Sequence, residues 1–122
     1  MDLASLTPIE KRFNVKHPRT GEPTGMILTL GCMHSPKIRA AVRKINDQII
    51  RHGADMDPAK EVELDAALVA AHITDIEFEG EANWHGKKPA YTPELAREVC
   101  SLQAIKDQVV KEVQSVRDFY PA

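Results

Sequence analysis

The chain is poor in aromatic residues: three Phe, two Tyr and one Trp among 122 residues. Its core must therefore be built from aliphatic side chains, and each ring is an anchor worth tracing. It has two cysteines, Cys32 and Cys100, far apart and without metal-ligand spacing. The five histidines, at 17, 34, 52, 72 and 85, never fall one helical turn apart in a zinc pattern, so no metal or cofactor is expected. No glycine-rich loop precedes a helix, which removes the usual phosphate cradle. No apolar run approaches the ~18 residues that span a bilayer, and the start MDLASLTPIEK lacks the basic and apolar blocks of a signal peptide. A cytosolic chain without membrane association is the expectation. Charge of one sign is also lacking: sixteen basic and eighteen acidic residues leave a net charge of -2, which provides no whole-chain attraction for nucleic acid.

Local order is written most clearly between His17 and Lys44. Phe13, Val15 and His17 alternate with Arg12, Asn14 and Lys16, the period of a strand with one buried face. Pro18, Gly21, Pro23 and Gly25 then punctuate a long turn, and Met26–Leu30 returns as a second strand ending at Gly31. Ser35 and Pro36 stand as helix N-cap and first helical residue. Ile38, Val42, Ile45 and Ile49, with Ala41, form an apolar stripe that stops at His52-Gly53.

Asp57-Pro58 restarts a helix whose expected stripe is Val62, Ala66, Val69 and Ile73, joined by Leu68. Helical period disappears from Thr74 to Tyr91, where Ile76-Glu77-Phe78 suggests a short third strand near 75–79. Thr92-Pro93-Glu94 opens another helix, with Leu95, Val99 and Leu102 as its stripe. A final helix from Gln103 carries Ile105, Val109, Val113 and Val116. The expected architecture is a single α+β domain over 1–122. Its N-terminal β-hairpin, residues 9–31, packs on about four α-helices that dominate 35–122.

Cys32 and His34 invite comparison with a thiolate nucleophile beside a helix start. Their spacing provides no orienting third group and no oxyanion hole, so a structural cysteine is the expectation and no catalytic residue is assigned. Trp84, in NWHGKKPAY, sits near basic residues in a pattern that could stack on single-stranded nucleic acid. With so few aromatics available, anchoring of the loop against the helices is the better reading. Lys37, Arg39, Arg43 and Lys44 are read as a solvated helix face.

The ordered segments MDLASL, HPRTGEPTGMILTLG, SPKIRAAVRK, WHGKKPAYTPELAREV and IKDQVVKEVQSVRDF together resemble the tail assembly chaperones of long-tailed, siphovirus-type bacteriophages. The likeness spans nearly the whole chain and rests on the order of its parts. Gly21 belongs to the P-x-T-G-E turn. Gly31 and Ser35, followed by Arg39 and Arg43, match the start of a basic helix, with one extra residue before the serine. Trp84, Gly86, Tyr91, Thr92, Pro93 and Glu94 match the third segment, while His34 stands where the family often has Asp.

The resemblance implies a non-enzymatic, transient role: binding the tape measure protein, keeping it soluble, and helping recruit tail tube subunits during virion morphogenesis. It further implies homo-oligomers in the host cytoplasm, absence from the mature virion, and a longer product of ribosomal frameshifting that contacts the tail tube protein. Ending at Ala122, this chain is expected to be the shorter product. Helix-in-groove recognition of a helical client would use wide apolar helix faces. Ile49 and Ile50 on the first helix, Val109, Val110 and Val113 on the last, and Phe119 and Tyr120 at the end are the expected partner-binding residues. The hairpin's strand edges offer a second route to association. A different class, a small phage-encoded regulatory or inhibitory protein binding a host factor, is the alternative.

Overall fold

In the computed structural model, residues 2–121 are described, and they form an antiparallel three-stranded sheet with helices against one face. Strand β1 spans Lys11–Lys16, β2 Pro23–Leu30 and β3 Ile73–Phe78, in the order β1-β2-β3. Helices α1 (Pro36–His52), α2 (Pro58–Ala70), α3 (Pro93–Val99) and α4 (Gln103–Gln114) follow the predicted order. The α+β class expected from the sequence is therefore what the chain adopts.

Register assigns the sheet faces. Phe13 lies opposite Leu28, which lies opposite Ile76, and Met26 lies opposite Phe78. These residues share one face with Leu30 and Ile73, and α2, α3 and α4 cover it through Ala66, Ala70, Leu95, Ala96, Val99, Ile105, Val109 and Val113. On the opposite face Arg12 reaches Glu77 at 3.0 Å, tying β1 to β3 across β2. The turn between β1 and β2 is shorter than predicted: β2 begins at Pro23, before Gly25. The pairing slips between Asn14 and Lys16, a bulge held by Thr24 Oγ1 donating to the Val15 carbonyl at 2.6 Å. Strand β3 begins at Ile73, two residues earlier than expected, so α2 is correspondingly shorter.

Proline opens three of the four helices, but the caps before those prolines are not equivalent. Asp57 accepts from the Lys60 N–H at 2.7 Å and Thr92 from the Leu95 N–H at 3.0 Å. Ser35 occupies the cap position, but its side chain makes no cap hydrogen bond; its carbonyl takes the Arg39 N–H at 2.9 Å. The predicted stripe of α2 is rotated. Leu64, Ala66, Ala67 and Ala70 are buried whereas Val62 is 62% exposed, because α2 packs against α1, α3 and α4 rather than covering the sheet alone. Leu102 is likewise exposed, since α3 stops at Val99 and Leu102 becomes the cap of α4.

The edge of β1 is tied to α4 at its two ends. Gln108 of α4 accepts from the Lys16 N–H and donates to the Lys16 carbonyl, both at 2.8 Å, as a neighbouring strand would. At the other end Lys11 donates to the Glu112 carbonyl at 3.1 Å and pairs with the Glu112 carboxylate at 2.8 Å. Its ammonium also lies 4.9 Å from the centre of the Phe119 ring. After α4 a single 3₁₀ turn, Val116–Phe119, swings that ring into the core, and the Ile9 N–H donates to the Phe119 carbonyl at 2.7 Å.

Candidate functional site

The segment between β3 and α3 is more ordered than a loop rich in glycine and proline suggests. His85 and Gly86 both have positive φ, 53° and 79°, and Trp84 and Lys87 exchange backbone hydrogen bonds at 2.7 and 3.1 Å. This is a tight two-residue hairpin turn of the kind that asks for glycine at its second central position. Trp84 is half-buried against the core and its Nε1 donates to Glu98 on α3 at 3.1 Å. Tyr91 donates its hydroxyl to the Ile73 carbonyl at 3.1 Å. Both rings anchor this segment, Trp84 against the core and α3 and Tyr91 against the start of β3.

Cys32 and His34 do not form a reactive pair. Cys32 is buried and its sulfur accepts the His34 backbone N–H at 3.4 Å, while the exposed His34 ring places Nδ1 3.1 Å from the Tyr120 hydroxyl. Cys100, also a free thiol, has its pKa pushed up to about 12 by burial, with Lys106 opposing. Among the described residues no three His, Cys, Asp or Glu side chains are grouped to hold a metal ion, and no helix is long and apolar enough to cross a membrane.

The expected partner-binding residues separate into three sets. Val109, Val113 and Phe119 belong to the core, a correction with a simple cause: α4 turns its stripe inward to fill the space over β2, and the 3₁₀ turn buries the ring. Ile49, Val110 and Tyr120 are half-buried, and Tyr120 packs against that core while reaching His34. Ile50 is 76% exposed.

What the structure brings together is a pair of apolar grooves on either side of Leu68. One, of about 190 Å³, lies between α2 and α4 and is lined by Met33, Leu68, Val69, His72, Val110, Val113 and Gln114. The other, of about 590 Å³, lies between the end of α1, α2 and the start of α4, with Ile49, Met56, Val62, Leu64 and Leu68 as its apolar lining. Glu61, Asp65 and Lys106 form the polar side of the second groove, and Lys106 is ion-paired to Asp65. His72 sits in the first with its pKa lowered by burial, against the opposing effect of hydrogen bonds to the Val69 and Leu68 carbonyls. Val62, Met56 and Met33 were missed as site residues. For Val62 and Met56 the signal is misfit, apolar side chains outside the core cluster, whereas Met33 packs against that core with part of its side chain still accessible.

Such grooves can hold apolar side chains of a partner. Comparison with protein-family models, with curated proteins and with solved structures returned no match to this chain.

Proposed function

We propose that the chain is a tail assembly chaperone of long-tailed bacteriophages, acting without catalysis in the host cytoplasm. Its client is the tape measure protein, whose long amphipathic helix it keeps soluble until tail tube subunits replace it. The observation that carries this reading is the pair of open apolar grooves meeting at Leu68, with Val62 exposed beside one and Val110 half-buried in the other. Helix-in-groove binding needs such a surface to take the i, i+3 and i+4 anchors of a client helix. The ordered sequence segments point the same way, and by that likeness the chaperone self-associates, leaves before the virion matures, and meets the tail tube protein through a longer frameshifted product.

Co-expression with the tape measure protein of the same phage tests the reading. The wild-type chain is expected to keep the client soluble and to co-purify with it. Val62→Asp with Val110→Asp should abolish both while thermal unfolding stays cooperative, and Val62→Asp alone, at an exposed position, should weaken co-purification without lowering stability by more than about 0.5 kcal/mol. An insoluble client beside the wild-type chain would refute the proposal.

A further inference from the structure

A third groove differs from the two at Leu68 in its charge. It has a volume of about 320 Å³ and runs between α1, the Ala67-Ala70-Ala71 side of α2, and the start of α3. Its floor is aliphatic and shallow. Its rim carries Lys37 and Lys44 from α1 and Arg97 from α3, and no acidic residue lines it. Arg97 is paired with Glu94 at 3.3 Å, whereas Lys37 and Lys44 enter no ion pair among the described residues. Charge along the chain favours the same helix: α1 carries five cations against one anion, net +4, leaving −6 on the remainder, and two of the five, Lys37 and Lys44, line the groove.

We propose that this groove docks an acidic amphipathic helix of a second protein, its apolar side on the alanine floor and its carboxylates between Lys37, Lys44 and Arg97. The inference is independent of the tail-assembly reading. A floor of small side chains lets a helix backbone approach closely, and the unpaired ammonium groups complement flanking carboxylates. Nucleic acid fits less well. The floor would stay bare, the rest of the chain repels phosphate, and the one aromatic at the rim, Tyr91, is committed to the Ile73 carbonyl. The exposed acidic start of α2 in a second copy is a poorer occupant, since it offers only Val62 between Glu61 and Glu63.

Fluorescence anisotropy on the full chain decides the matter. The probes are a labelled helical peptide of about eighteen residues with leucines at i, i+4 and i+7 flanked by glutamates, its lysine-for-glutamate counterpart, and a short single-stranded oligonucleotide. The acidic peptide should bind saturably, at least about tenfold tighter than the other two, and weaken between about 50 and 300 mM salt. Ala41→Trp, which fills the floor and leaves every charge in place, should cost at least about tenfold, as should Lys37→Glu with Lys44→Glu, with melting temperatures near wild type. Retained binding in Ala41→Trp would reduce the groove to surface charge and overturn the proposal. So would oligonucleotide binding equal to the acidic peptide's, or a dimer in sedimentation that Ala41→Trp abolishes.

Discussion

Gly31 shows how one residue position can set the placement of a helix. A Cβ built there would lie 2.6 Å from both Cγ1 and Cδ1 of Ile38, far inside van der Waals contact. Ile38 is the single buried residue of α1, so that contact is where the helix is pinned to the end of β2. The motif reading found Gly31 as a punctuation mark between strand and helix, but nothing in the sequence alone shows that the constraint is a side chain seven residues later. Gly31→Ala should destabilise by about 1–3 kcal/mol, the usual cost of overpacking. Ile38→Val added to Gly31→Ala should recover part of that loss, a coupling that urea denaturation of the four-member cycle would read directly. Additive single effects would mean the helix simply shifts outward.

At the scale of elements, the strands and helix starts were legible because their signals are local. Alternation named the faces of β1, and Asp57, Thr92 and the following prolines marked where α2 and α3 begin. The facing of α2 was not legible, and the reason is physical. With alanines at 59, 66, 67, 70 and 71, the helix has weak contrast between its sides, so partners on three sides decide which residues are covered. The same limit applied to α4, whose stripe was identified correctly but read as a client surface when it fills the core. Phe119 of the C-terminal 3₁₀ turn, expected at a partner surface, is the largest fully buried side chain among the described residues. Its ring closes the core while Lys11 and Ile9 hold the turn against β1. Phe119→Ala should therefore cost about 3–5 kcal/mol in equilibrium urea unfolding. Tyr120→Phe removes only the hydroxyl near His34 and should cost no more than about 1 kcal/mol. A small loss at Phe119 would show that the turn detaches without consequence for the core.

For the whole molecule, one half-buried titrating ring links the candidate site to stability. His72 follows α2, lines the groove between α2 and α4, and keeps Nδ1 3.2 Å from the Val69 carbonyl. Burial lowers its folded-state pKa below the ordinary 6.5, so well above pH 6.5 the ring is neutral in both states and contributes no pH dependence. As the pH falls through 6.5, the unfolded chain takes the proton first, and stability falls until the folded-state pKa is passed. The urea midpoint should therefore drop between about pH 7.5 and 5.5, a window chosen above most carboxylate titration. His72→Gln retains a donor for the Val69 carbonyl and cannot titrate, so its midpoint should fall less over the same interval. The two grooves meet at Leu68, which makes a second consequence testable in the same variant. A protonated ring places a cation in an apolar groove, so binding of the proposed client should weaken in wild type on acidification and hold more nearly constant in His72→Gln. Identical pH profiles for both proteins, in midpoint and in binding, would remove His72 from both roles and leave the groove's recognition to its aliphatic lining.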